Sequence, residues 1–244
     1  VATSVARHAV SQPLTVALPW GARVLVTSRA DGDLRPPGVP DDAAEARRRV
    51  LVDRPWTFAR QVHGARVVVV GAPSGPLDAE ADALVTASPD ACLAVLGADC
   101  ALVGLASPEG ITGVAHAGWR GLVAGIVEAT VAAMRSLGAG RVAAVLGPCI
   151  HPECYRFGEA DLDAAAAVLG PAVRATTAAG DPALDLPAAV RGALARAGAE
   201  LAVDAGSCTA CGDRWFSHRR RRDASRHALA VWQEAPAAGS AGGR

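Results

Sequence analysis

Lysine is absent from this chain of 244 residues, and all 24 of its basic residues are arginine. Together with the abundance of alanine, this reads as codon bias rather than chemistry. Aromatic residues make up 4% of the chain, so the core must be built mainly from Val, Leu and Ala. Net charge is also missing: the formal value is zero, which gives no global electrostatic argument for nucleic acid or an acidic membrane as partner. No apolar run reaches the roughly 18 residues that a bilayer span requires. The opening segment, Val1 to Leu14, lacks a charged stretch followed by an apolar one, so a secretory signal is not expected. Six cysteines are too few for a disulfide framework. The expected compartment is therefore cytoplasmic, with reduced thiols, several of them small buried hydrophobes.

What is present is enough apolar material, 51% of the residues, to bury a large core. Apolar runs bounded by turn residues predict strands at 22–27, 57–62, 66–70, 83–86, 92–97, 101–106, 111–116, 142–146, 200–203 and 228–232. Little strict alternation within them points to sheets buried on one or both faces. Helices are predicted at 41–51, after Pro40 and opened by Asp41 and Asp42; at 119–137; at 159–169, stopping before Gly170; and at 187–198, between Pro187 and Gly198. Successive strands without an intervening helix favour an α+β fold over a doubly wound parallel sheet. The Pro- and Gly-containing stretches at 30–40 and 71–79 are too short for interdomain linkers. The expected layout is one domain over 1–234 and a flexible Ala/Gly/Ser-rich tail over 235–244.

Three segments join ligand-type side chains to sharp backbone punctuation: Arg60-Gln61-Val62-His63-Gly64, Gly97-Ala98-Asp99-Cys100 and His116-Ala117-Gly118-Trp119-Arg120-Gly121. Each falls at a strand end. A rigid sheet could bring His63, Cys100 and His116 together as two imidazoles and one thiolate. That set would bind zinc and leave its fourth position for water or substrate, and zinc chemistry turns water into a nucleophile at neutral pH. Spacing alone leaves a second reading open, in which these are hydrogen-bonded structural residues. The third segment opens a helix, whose N–H groups and Arg120 could hold a phosphate; an ordinary turn with a solvated arginine is the alternative.

The same residues, with Glu80-Ala81-Asp82-Ala83-Leu84-Val85-Thr86, Gly147-Pro148-Cys149-Ile150 and Phe216-Ser217-His218-Arg219-Arg220, resemble the laccase-domain, or YfiH-like, purine nucleoside phosphorylase family in order and content over about residues 14 to 233. The resemblance implies an α/β/β/α layered sandwich with mixed sheets and a zinc site on His63, Cys100 and His116. It also implies phosphorolysis of adenosine, inosine or methylthioadenosine, with adenosine deamination beside it. Purine nucleoside and inorganic phosphate are then the partners, bound through Arg29, Gln61, Asp99 and Arg120, with Gln61 and Asp99 orienting water or substrate. The stretch from Thr27 to Pro37 lacks the family's Ser-Leu-Asn-Leu-like segment, which puts the loop's enclosure of substrate in question. The turn at Arg222-Asp223-Ala224-Ser225-Arg226 is also less Gly-rich than in the family.

Competing readings have their own residues. Cys100 as nucleophile with His116 as base would be a Cys-His hydrolase, and the family includes a peptidoglycan-editing branch. A copper polyphenol oxidase would want an axial ligand, and Met134, the only Met, lies on a helix face suited to the core. Copper is thus the less favoured metal. Cys149, Cys154, Cys208 and Cys211 could form a second zinc site. An inactive binding module is the non-enzymatic alternative, for which the basic run Arg219 to Arg222 is a thin nucleic-acid signal. Oligomeric state is left as monomer or small homo-oligomer.

Overall fold

The structure, a computed structural model, describes residues 12–34 and 42–234. The expected tail, the Pro40-Asp41 helix start, His8 and part of the 30–40 loop lie outside the described residues. Thirteen strands and six α-helices are formed among them: β1 (Leu14–Ala17), β2 (Ala22–Val26), α1 (Asp42–Leu51), β3 (Trp56–Thr57), β4 (Val67–Val69), β5 (Ala83–Thr86), β6 (Cys92–Gly97), β7 (Ala101–Ala106), β8 (Thr112–Ala117), α2 (Trp119–Val123), α3 (Ile126–Ser136), β9 (Ala143–Leu146), α4 (Glu159–Leu169), β10 (Arg174–Thr176), β11 (Pro182–Leu184), α5 (Leu186–Ala197), β12 (Glu200–Asp204), α6 (His218–Arg221) and β13 (His227–Gln233). One mixed sheet has the order β1-β2-β13-β6-β3 and the other β12-β9-β7-β8-β5-β4, while β10 and β11 form a separate hairpin.

Period-2 side-chain alternation turns the two sheets into four layers. Val24, Val95, Leu229 and Val231 of the first sheet meet Leu84, Leu102, Val114 and Val145 of the second in the space between them. Their chain neighbours point the other way. Val85, Val103, Leu105 and Ala115 pack under Leu122, Ile126, Val131 and Met134 of α2 and α3 and under Leu162, Val190 and Leu194 of α4 and α5. On the far side, Leu25, Ala94 and Ala230 pack with Leu34, which precedes α1, and with Val52, Trp56 and Phe58 in the chain after it. The expected α/β/β/α sandwich is formed. Each large side chain buried here contributes roughly 1.5–3 kcal/mol by leaving water. The sheets approach closely at Gly104, where an added Cβ would stand 2.9 Å from Val231 Cγ2.

The helix expected over 119–137 is two helices. Gly125 adopts φ +84°, closed to most side chains, and the chain turns there between α2 and α3. The expected 57–62 strand also stops early. Beyond Thr57 the backbone pairs with the 77–81 segment, through Leu77 N–H to Phe58 O and Arg60 N–H to Ala79 O. α5 begins one residue before its expected start at Pro187, because Asp185 caps it, accepting from Ala188 N–H at 2.7 Å. The short edge strand β1, the hairpin and the four-residue α6 were not expected.

Candidate metal centre and cavity

The β6–β7 connection carries the chain from one sheet to the other, and Cys100 lies at its end. His116 lies near the end of β8, opposite Leu102 in the β7–β8 register. His63 arrives on the loop after the Arg60–Glu80 bridge. One ligand atom from each of His63, Cys100 and His116 falls within 4.8 Å of the others. Cys100 Sγ is 3.8 Å from His63 Nε2. Tetrahedral zinc with ordinary bond lengths would space a sulfur and a nitrogen about 3.6 Å apart. The two imidazoles meet edge to face, with centroids 4.8 Å apart.

Asp82 organises this arrangement. Its side chain is fully buried, and its carboxylate accepts from the backbone N–H groups of Val62, His63 and Gly64 at 3.1, 2.9 and 2.8 Å. Three donors on one anion hold His63 at φ +62°, a left-handed conformation that costs a non-glycine residue energy. The same carboxylate lies 2.8 Å from His116 Nδ1, which fixes the tautomer that leaves Nε2 for a ligand. His116 N–H donates to the Asp82 carbonyl as well, at 2.7 Å. Burial alone would raise the Asp82 carboxyl, but the bonds from His116, Gly64 and Val62 hold it below the usual range. Asp82 lies inside the Glu80–Thr86 motif, where sequence alone gives it no role; a carboxylate that steadies a ligand imidazole is the general signal that points to it.

Burial would push the Cys100 thiol up, but the charge and hydrogen bonds of His116 and the contact with His63 bring it down to about 6. Burial likewise opposes a charge on His116, and the Cys100 thiolate and Asp82 overcome it, raising the imidazole to about 9. The site thus stabilises a thiolate. Gly118 forms its floor: an added Cβ would stand 3.0 Å from His63 Cδ2 and 3.1 Å from Cys100 Sγ. Two imidazoles, a thiolate and a bare backbone between them suit a zinc-sized cation.

The cluster opens into a cavity of about 740 Å³, lined also by Phe58, Leu77, Leu96, Arg60, His218 and Arg226. The other expected site residues fall in different places. Gln61 lines the cavity, but its amide is engaged by Leu96, giving to the carbonyl and taking from the N–H at 2.8 Å each; it acts as one more rung beside β6. Asp99 is buried behind Cys100 at φ +102°, accepting from Thr209 Oγ1 at 2.7 Å and from Arg219 N–H at 2.6 Å. Arg29 pairs with Asp223 at 2.7 Å and stacks on Phe216, and Arg120 stacks on Trp119; neither lines the cavity. α2 is only five residues long, so little helix dipole stands behind the expected phosphate contact. Arg219 is directed at Tyr155 and the Arg156 carbonyl. Met134 is fully buried against Gly113, among the core residues of α3. His218, Arg60 and Arg226 were not named as binding residues, because their approach to the cavity depends on how distant loops fold.

Known proteins share this architecture and sequence. Over 179 residues the chain is 45% identical to purine nucleoside phosphorylase SCO2081 of Streptomyces coelicolor, covering 72% of this chain and 74% of the relative. Over 231 residues it is 36% identical to purine nucleoside phosphorylase Rv2149c of Mycobacterium tuberculosis, covering 87% and 92%. The crystal structure of the Neisseria meningitidis protein NMB0706, of family DUF152, superposes with a TM-score of 0.77 at 27% identity, covering 92% of this chain and all of that one. With residues 30–234 matching its family model, the chain belongs to the multi-copper polyphenol oxidoreductase laccase family.

Proposed function

We propose that this protein is a zinc-dependent purine nucleoside phosphorylase acting on adenosine, inosine or methylthioadenosine, with adenosine deamination as a second activity of the same cavity. The observation that carries the reading is the opening of the His63–Cys100–His116 cluster into a cavity that also holds Arg60, His218 and Arg226. Soft metal donors on one wall and cationic or imidazole groups on others suit a substrate that is part purine and part oxyanion. The names of the relatives, both purine nucleoside phosphorylases, support the same chemistry.

His63, Cys100 and His116 would hold the metal, and zinc bound there supplies a Lewis acid that polarises a substrate atom. Phosphate is assigned to Arg60 and Arg226. Arg60 is already paired with Glu80 at 2.7 Å, and one nitrogen of Arg226 is held by the carbonyls of Asp223, Ala224 and Ser225, so both guanidinium groups are anchored rather than loose. The apolar surface of Phe58, Leu77 and Leu96 faces the base. In phosphorolysis a phosphate oxygen forms a bond to the anomeric carbon, the glycosidic C–N bond breaks, and its electron pair leaves on the purine. That leaving group needs a proton. His218, whose ring has no hydrogen-bond partner among the described residues, is the candidate donor.

The test is incubation with a nucleoside panel, with and without phosphate, and identification of products by mass. Phosphate-dependent release of free base with ribose phosphate is expected, and inosine from adenosine would reveal the second activity. Base release indifferent to phosphate, or no turnover of any purine nucleoside, overturns the reading.

One observation favours a second reading, a Cys-His hydrolase: Cys100 at about 6 and His116 at about 9 form a thiolate–imidazolium pair. Iodoacetamide separates the two. Zinc should shield Cys100 from alkylation if it is a ligand, whereas a nucleophile in metal-free active enzyme would be alkylated with loss of activity.

A further inference from the structure

A second group of thiols lies outside the cavity. Cys154 ends a short 3-10 turn, Pro152–Cys154, in the segment after β9, and Cys208 and Cys211 form a C-x₂-C turn after β12. Their three sulfur atoms lie within 4.8 Å of one another, and Cys154 Sγ stands 3.5 Å from Cys211 Sγ. Tetrahedral zinc with Zn–S bonds of about 2.3 Å spaces its sulfurs about 3.8 Å apart. A disulfide would need about 2.05 Å. The observed separation is close to that of two ligands sharing an ion and far from that of a bonded pair. Cys149, the fourth cysteine of this region in the sequence, is buried in the core and stands outside the group. Two further features fit a metal. His151 N–H donates to Cys208 Sγ at 3.4 Å, a bond that stabilises a thiolate. Glu153 Oε1 lies 3.5 Å from Cys211 Sγ and 3.8 Å from His151 Nδ1, a carboxylate beside the sulfur group.

We propose that Cys154, Cys208 and Cys211 bind a structural zinc ion as thiolates, each releasing its proton to solvent, with the Glu153 carboxylate closing the fourth position. This ion clips the segment after β9 to the loop after β12. Thr209, between the two ligands of the C-x₂-C turn, donates to Asp99 beside Cys100, and the same loop continues to His218 in the cavity. The second ion therefore steadies the outer wall of the first site without touching substrate.

The experiment is the zinc content of the reduced, full-length chain after gel filtration, in wild type and in Cys211→Ser, Cys208→Ser and His116→Ala. About two ions per chain are expected in the wild type. Cys211 is exposed, so Cys211→Ser should fold and lose one ion, while His116→Ala should lose the other and keep this one. Cobalt replaces zinc as an optical probe: most of the sulfur-to-cobalt charge-transfer absorption should disappear in Cys211→Ser. The proposal fails if both serine variants retain the wild-type zinc content. It fails equally if the reduced wild-type chain holds no ion beyond the one that His116→Ala removes. Neither result bears on the His63–Cys100–His116 site, which His116→Ala reads separately.

Discussion

At Asp82 one carboxylate takes four hydrogen bonds, three from consecutive backbone N–H groups of the His63 loop and one from His116. Two of the three candidate ligands are thus aimed by a residue that is not a ligand. Asp82→Asn keeps the shape but cannot accept all four bonds, and zinc affinity should fall about 10- to 100-fold in a chelator-competition titration. At Gly118 the effect is steric. A methyl group there points between His63 and Cys100, into the space an ion needs, so Gly118→Ala should lower zinc affinity at least about tenfold in the same titration. At this scale the sequence was partly readable. His63, Cys100 and His116 each lie within three residues of a glycine near a strand end, and the fold brings them together. Arg29 and Arg120 carried the right charge, but ring stacking and an aspartate hold them elsewhere, and neither neighbour's position can be deduced from spacing.

Among the elements, β5, β6 and β7 have the bounds that their apolar runs suggest, and α4 stops before Gly170 as expected. Errors gather where local pattern is overridden by contacts from far along the chain. The 119–137 periodicity is continuous, yet Gly125 breaks it. Gly121 sits so close to the Gly64 carbonyl, 3.1 Å from an added Cβ, that α2 is set by the His63 loop while α3 follows the sheet. The strand after Thr57 ends because Gln61 supplies its pairing with Leu96 through a side chain. β10 and β11 are three residues each, below the length at which alternation is visible. The close approach of the sheets at Gly104 has a measurable consequence. Gly104→Ala forces Val231 and Val24 apart and should cost about 1–3 kcal/mol. Calorimetry should register this as a drop of about 2–4 °C per kcal/mol in the melting temperature.

For the molecule as a whole, His227 sets an acid limit. It is fully buried on β13 beside Trp215, with no hydrogen-bond partner for either ring nitrogen among the described residues. Burial, and then the charge of Arg226, depress its pKa to about 3. Below about pH 6.5 the unfolded chain takes up a proton that the folded chain refuses until about pH 3. The contribution of His227 to stability is therefore present above about pH 6.5 and is lost as the medium is acidified toward pH 3, by up to about 1.4 kcal/mol per pH unit. His227→Leu should flatten the pH dependence of denaturant midpoints between pH 6.5 and 5; an unchanged slope would show that this histidine is not responsible. The layered architecture was readable from strand density and family resemblance, since two apolar sheets and amphipathic helices have few ways to cover one another. The cavity was not, because its lining is drawn from loops separated by more than 150 residues of chain, from Phe58 to Arg226.

The central claim is that two imidazoles and one thiolate grip a single ion at the cavity wall. Anomalous diffraction from zinc-loaded crystals above and below the zinc absorption edge tests it directly. The account predicts a zinc peak about 2.0–2.1 Å from one nitrogen each of His63 and His116 and about 2.3 Å from Cys100 Sγ. A zinc-replete crystal with no peak among those three side chains would contradict it.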